Sequence, residues 1–249
     1  MASTQSVDRF TNIIDAVADS PKGKTLSEIV VKVNLPKTTV YRTLNALAEH
    51  GYIMKDDCGL YTVGYKFLLL AKKYLGSLDI REIARPFLKR LVVDFSITAH
   101  IAFLQGNKAV YIEKLRPFSF ECTYSDIGKT IDLYCSGLGK SLLLGISDDV
   151  LEVYLNAVEF ERFTNKTLNK DGLRKELALA RKQGYTKDNQ EHEEGVFCIA
   201  APIYDYTGAV IAAISISKPD QGLLTNATAK SALLDASYKI SKLFGASKS

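Results

Sequence analysis

Four cysteines, three histidines and one Gly-Lys-Ser triplet are where this chain offers reactive chemistry. The triplet, Gly139-Lys140-Ser141, lies in LYCSGLGKSLLLG at residues 133–145 and is how a phosphate-binding loop ends. Such a loop reads G-x-x-x-x-G-K-[ST], and its first glycine lets the backbone curl round a phosphate. Five residues before Gly139 stands Tyr134, and the upstream DIGKTIDLY is polar and loop-like rather than a buried strand. Both features argue against nucleotide hydrolysis. What survives is narrower: Ser136, Gly137 and Gly139 are small residues at a helix start. Bare N–H groups there carry partial positive charge and suit a carboxylate or a phosphate.

Cysteine catalysis needs a thiolate beside a general base. His50 belongs to the N-terminal third, His100 alternates within a strand, and His192 sits in the charged run EHEEG. None carries a signature tying it to Cys135 or Cys198. A cysteine-dependent enzyme with a fused DNA-binding head is thus the weaker alternative, and no enzyme is expected. His100, His192, Glu113, Cys135 and Cys198 are ligand types without ligand spacing, so neither a metal nor a cofactor is expected. A ligand pocket without catalysis fits better. It would use the helix start at 136–139, Asp188, Cys198, and the hydroxyls of Ser215 and Ser217. In ISIS those serines share one strand face, and a strand otherwise apolar on both faces suggests a lined cavity rather than open water. Cys135 reads as a neighbour of that pocket.

The scaffold for such a site has to come from 249 residues that are 47% hydrophobic and 24% charged, a globular profile. No apolar run approaches the ~18–20 residues that span a bilayer. MASTQSVDRFTNII lacks the apolar centre of a signal peptide, and no C-x-x-C occurs. A cytoplasmic protein with reduced thiols and no membrane partner is expected. Net charge is +4; residues 1–78 hold ten Lys/Arg against seven Asp/Glu, so the excess gathers at the N-terminal end. That placement points to a nucleic-acid partner there.

The first third has helical periodicity. Residues 4–19 predict a helix that ends at Ser20-Pro21-Lys22-Gly23. TLSEIVVKV predicts a second, with Thr25 as N-cap and Glu28 completing a capping box. PKTTVYRTLNALAEH predicts a third that stops at Gly51. YIMKDDCGLYTV then gives two strand-like pieces around Asp56-Asp57-Cys58-Gly59. Helix, helix, turn, helix, hairpin is the layout of a winged helix-turn-helix. On the third helix Val40, Leu44 and Leu47 form the buried stripe. Lys37, Thr38, Thr39, Tyr41, Arg42 and Asn45 face outward to meet phosphates and base edges in a major groove. Arg42 suits guanine, Asn45 suits adenine, and Lys55 in the hairpin suits a neighbouring phosphate.

From Tyr65 to Phe95 the pattern is helical again, broken near Gly76-Ser77. Its first part carries Phe67, Leu68, Leu70, Ala71 and Leu75, an apolar face that suits a second subunit or its own domain. From residue 98 the period becomes two. TAHIAFLQ and KAVYIEKLR predict a hairpin across Gly106-Asn107, and SFECTYSD a third strand. Residues 137–157 and 169–183 predict helices. VFCIAAPIYD and AVIAAISIS predict a buried hairpin, and residues 225–246 a closing helix. Strands in the middle bracketed by helices give an α+β fold with an antiparallel sheet.

LPKTTVYRTLNALAEHGYI, SGLGKSLLL and DNQEHEEGVFCIAAPIYDYTGAVIAAISIS together resemble the IclR-type (isocitrate lyase regulator) transcriptional regulators of bacteria, over residues 6 to 246. The resemblance implies a winged helix-turn-helix over 1–65, a dimerising linker helix over 66–79, and a GAF-like effector domain over 80–249. It implies a homodimer or homotetramer on a palindromic double-stranded DNA operator, acting as a repressor or activator. The implied effector is a small carboxylate: glyoxylate, pyruvate, a keto sugar acid, or an acid of aromatic catabolism. By motif, the implied pocket residues are Gly137, Leu138, Asp188, Cys198, Ser215 and Ser217, with Phe120, Thr123, Ile131 and Val196 as walls. DLYCSG departs from the family pattern at Tyr134 and Cys135. With Tyr124 nearby, the extra hydroxyls favour a polyhydroxy acid such as a keto-deoxy sugar acid.

Overall fold

The computed structural model describes residues 5–117 and 125–247. Its contacts divide the chain into two compact units, Met1–Leu78 and Asp79–Ser249.

In the first unit α1 (Gln5–Ala18), α2 (Leu26–Val33) and α3 (Lys37–Glu49) precede a hairpin of β1 (Ile53–Lys55) and β2 (Tyr61–Val63). The capping box at α2 forms: Thr25 Oγ1 accepts from the Glu28 N–H, and the Thr25 N–H donates to the Glu28 carboxylate at 2.7 Å. Asn34 takes a left-handed φ of 51° and turns the chain from α2 into α3. Ile13, Val17, Ile29, Val40, Leu44 and Leu47 pack into one core with Ile53 and Tyr61 of the hairpin. Each such side chain stabilises the unit by about 1.5–3 kcal/mol on burial. Lys24 pairs its backbone with Tyr61, which fastens the hairpin to the segment before α2. This is the winged helix-turn-helix. The unit ends with α4 (Lys66–Gly76), none of whose residues is buried.

The second unit opens with α5 (Ile80–Phe95), capped by Asp79. Among the described residues its sheet contains β3 (Thr98–Gln105), β4 (Lys108–Leu115), β5 (Thr130–Asp132), β6 (Thr186–Asn189), β7 (Phe197–Tyr204) and β8 (Val210–Lys218). Their order is β5-β4-β3-β8-β7-β6, antiparallel throughout. Between β5 and β6 run α6 (Gly137–Leu143), α7 (Asp148–Ala157) and α8 (Lys170–Gln183); α9 (Ala227–Leu243) closes the chain. The α9 hydroxyls of Ser237 and Ser241 bond the Pro202 carbonyl and the Tyr204 N–H, fixing that helix to β7. The fold is α+β. Among the described residues no helix is long and apolar enough to cross a membrane.

Several expectations need correction. Residues 137–157 are two helices. The chain breaks at Gly145, where a Cβ would lie 2.5 Å from Val210, and Ser147 caps the new helix. Part of DIGKTIDLY is not loop but the edge strand β5, paired with β4. Strand β6 has only four residues and carried no clear alternation in the sequence. The strand expected from SFECTYSD falls mostly outside the described residues; its last two, Ser125 and Asp126, are not in a strand.

Candidate functional site

On α3, Lys37, Thr38, Tyr41, Arg42 and Asn45 are exposed and Thr39 is half-buried. Thr38, Arg42 and Asn45 follow one another at four and three residues, so they share the helix face opposite Val40, Leu44 and Leu47. Arg42 makes no ion pair with another described residue. Lys55 lies exposed at the end of β1, with its ammonium 5.4 Å from the centre of the Tyr61 ring. The first turn of α3 holds no acidic residue, so nothing there opposes an incoming phosphate.

The second candidate is a cavity in the other unit, built on one sheet face. Register sets its floor. Asp188 lies opposite Cys198, Cys198 opposite Ser217, and Ser217 opposite Thr98. One step along, Ala200 lies opposite Ser215 and Ser215 opposite His100. Opposed residues of antiparallel strands share a face, so these side chains form adjoining rows. Helix α6 lies on those rows, and every residue in it is buried. The turn leading into the helix requires glycine at 139, where a Cβ would lie 2.4 Å from the Leu133 Cα. The Gly137 carbonyl accepts from Thr186 Oγ1 of β6 at 2.7 Å.

The cavity is small, about 50 Å³, and partly open to solvent. Of the residues expected to form a pocket, Gly137, Leu138, Asp188, Cys198, Ser215, Ser217, Ile131 and Val196 line it. Phe120 and Thr123 lie outside the described residues. Five polar lining residues were not assigned to the pocket from sequence: His100, Tyr111, Ser125, His192 and Glu193. His100 Nε2 lies 2.9 Å from Ser125 Oγ, and its ring packs on Tyr111. The only advance signal for His100 was its strand position, which reads equally as a core histidine.

Burial dominates the electrostatics. His100 is pushed down to about 3 by burial, with Lys114 adding to the effect, so its imidazole is neutral near pH 7. Asp188 is raised from 3.8 to about 7 by burial and then by the neighbouring Glu191 charge, while Lys140 pulls the other way. One Asp188 oxygen accepts the Glu191 N–H at 2.8 Å. Among the described lining residues Asp188 and Glu193 are acidic and none is Lys or Arg. An anion here would therefore rest on neutral donors: hydroxyls, and the N–H groups of Gly137 and Leu138, which have no helical acceptor. Among the described residues no group of three His, Cys, Asp or Glu could hold a metal ion.

Three details differ from the sequence reading. The Gly139 N–H is not bare, because Ser136 Oγ accepts it at 3.0 Å. Cys135 does not border the cavity; it is fully buried among Leu133, Leu138, Leu142 and Tyr154. Burial raises its thiol well above the ordinary range, as it does for Cys198, which leaves neither with thiolate character near pH 7. Tyr134 likewise turns away, with its hydroxyl donating to the Glu161 carbonyl at 3.2 Å.

Comparison with known proteins adds to this geometry. A family model described as the IclR helix-turn-helix domain matches residues 6–57, and one described as the C-terminal part of the bacterial transcriptional regulator IclR matches residues 72–242. The chain is 33% identical to the transcriptional regulator XynR of Escherichia coli over 219 residues, 87% of either chain. It is also 33% identical to the transcriptional repressor AllR of that species over 221 residues, 88% of this chain and 82% of the other. Among solved structures it is similar to the Agrobacterium tumefaciens repressor BlcR, with a TM-score of 0.83, 26% identity and 98% coverage of both chains.

Proposed function

This chain belongs to the IclR family of bacterial transcriptional regulators, and from that premise we propose that a small carboxylate in the sheet cavity changes how tightly α3 holds an operator. The protein is a DNA-binding regulator with an effector-binding C-terminal domain, and its relatives are named as regulators and repressors rather than enzymes. We assign residues 1–65 to DNA binding, 66–79 to a dimerising linker and 80–249 to effector binding, in a cytoplasmic dimer or tetramer on a palindromic operator. The exposed Leu68, Leu69, Leu70, Tyr74 and Leu75 of α4 support the linker role, because a helix with so much bare apolar surface gains by pairing.

One observation carries the effector reading: Asp188, Cys198, Ser217, Ser215 and His100 share one sheet face beneath the start of α6. An acid entering there places its carboxylate on the Gly137 and Leu138 N–H groups. Ser215 and Ser217 then grip keto or hydroxyl oxygens, and Asp188 carries a proton between the acid's oxygens and its own. With Tyr134 turned away, hydroxyl recognition falls to Tyr111 and Ser125, and the effector is a keto acid or a sugar acid. Binding shifts DNA affinity only if the acid prefers one of two arrangements of the regulator. A thermal-shift screen of keto acids and sugar acids tests the pocket. A specific ligand at 100 times its Kd adds about 2.7 kcal/mol of stability. A screen in which no acid raises Tm overturns the effector reading.

A further inference from the structure

Lys140 is fully buried and is not among the residues that line the cavity, yet it is the one strongly basic group enclosed in the core beside the pocket, counting the described residues. Its ammonium meets both carboxylate oxygens of Glu191, at 2.6 and 2.7 Å, and one of Glu176 at 3.4 Å. Burial alone would lower its pKa; Glu191 and Glu176 outweigh that and hold it above its ordinary value, so it is charged. Glu191 is 4% exposed and also stands behind the lining residues of this cavity.

The two residues belong to different elements of the cavity wall. Lys140 is one helical turn beyond Gly137 and Leu138, which form the α6 wall. Glu191 begins the segment whose His192, Glu193 and Val196 line the cavity, and its N–H donates to Asp188 at 2.8 Å. That segment has further anchors. Thr164 Oγ1 donates to the Gln190 carbonyl and Thr167 Oγ1 to the Glu191 carbonyl, both at 2.6 Å, and Gln190 takes a left-handed φ of 64°. A non-glycine residue in that region is costly and persists where its surroundings fix it. We propose that Lys140 is a positioning residue of the effector pocket: through Glu191 it ties α6 to the 190–196 segment and so sets the width of the cavity and the aim of Asp188.

Buried ion pairs often add little net stability, because desolvation offsets their attraction. A pair kept for stability alone is therefore replaceable by apolar side chains, whereas a clamp is not. The proposal rests on reading this cavity as the effector site, but its test needs no effector. Cys198 lies on the cavity floor, and its reaction with iodoacetamide, followed by peptide mass spectrometry, reports how often the wall opens.

The variant K140M/E191M in the full-length protein removes both charges and keeps the volume. The expected result is a cooperative melt near that of wild type with Cys198 alkylated at least about tenfold faster. K140R/E191D, which re-forms a charged pair of similar total length, is expected to return the rate toward wild type. A wild-type rate in the stable K140M/E191M protein overturns the proposal. So does a fast rate in K140M that disappears in K140M/E191M, since the pair then matters only as charge to be neutralised. Should the double variant not melt cooperatively, E191Q decides: faster Cys198 alkylation supports the clamp and an unchanged rate overturns it. An absence of ligands in the acid screen would leave these rates as they are, so the two readings fail separately.

Discussion

Gly137 stands so close to Cys198 that a Cβ added to it would lie 3.0 Å from the thiol sulfur. The same atom would meet the Ala200 and Asp188 Cβ atoms at 3.4 and 3.8 Å, so the glycine lets α6 settle onto the cavity floor. Gly137→Ala is expected to weaken effector binding at least about tenfold, at a stability cost of about 1–3 kcal/mol for the overpacked contact. Gly139→Ala meets Leu133 backbone rather than a side-chain tip and is expected to destabilise the whole effector unit more. Calorimetry of the two variants, with titration of the acid found by screening, checks the contrast. A Gly137→Ala protein with wild-type affinity would show that the floor takes no part in binding.

Asp188 predicts a pH dependence of definite sign. Its folded pKa is about 7 against 3.8 when solvated, so between these values the folded chain binds the extra proton. Stability from this group is present at low pH and is lost as pH rises from about 4 to about 7. Asp188→Asn removes that loss. Its unfolding free energy relative to wild type should climb across the window and level off above pH 7. His100 acts oppositely between about 3 and 6.5, but it is present in both proteins and cancels in the difference. Denaturant titrations at a series of pH values give the curve; a flat difference contradicts the assignment. Carboxylate binding should also weaken above pH 7 in wild type, where Asp188 turns negative, and not in Asp188→Asn.

How much of this was legible beforehand follows sequence distance. The capping box of Thr25 and Glu28 spans three residues, and the Val40–Leu44–Leu47 stripe spans two turns; both form as their spacing dictates. The shared face of Ser215 and Ser217 follows from strand alternation, and the eight described pocket residues named from motifs all reach the cavity. Local spacing fails where partners lie far apart. Lys140 meets Glu191 across 51 residues, and His100 meets Ser125 across 25. Tyr134 and Cys135 lie only two and three residues beyond Asp132, but the turn from β5 into α6 points them into the packing around Leu142 and Tyr154. The strand β5 itself is short and polar at its ends, so only its pairing with β4 defines it.

On α3, Arg42 and Lys37 should separate two kinds of contact. Arg42→Ala is expected to cost about 1–3 kcal/mol in operator affinity and to relax selectivity at one base pair. Lys37→Ala is expected to weaken all DNA sequences alike and to reduce the steepness of the salt dependence by about one phosphate contact. Fluorescence anisotropy across a salt series measures both. Identical behaviour of the two variants would contradict the placement of Arg42 at base edges.

The link between cavity and operator is tested most directly by DNA affinity with and without acid. Anisotropy of labelled operator DNA is followed with a saturating amount of the acid that stabilises the protein, for wild type and for the Ser215→Ala, Ser217→Ala double variant. The wild-type affinity should change by about 5–150-fold, the usual range of coupling between two sites, while the double variant, losing its grip on the acid, should respond weakly or not at all. Wild-type DNA affinity that stays constant while the acid is bound would contradict the regulatory role of the cavity.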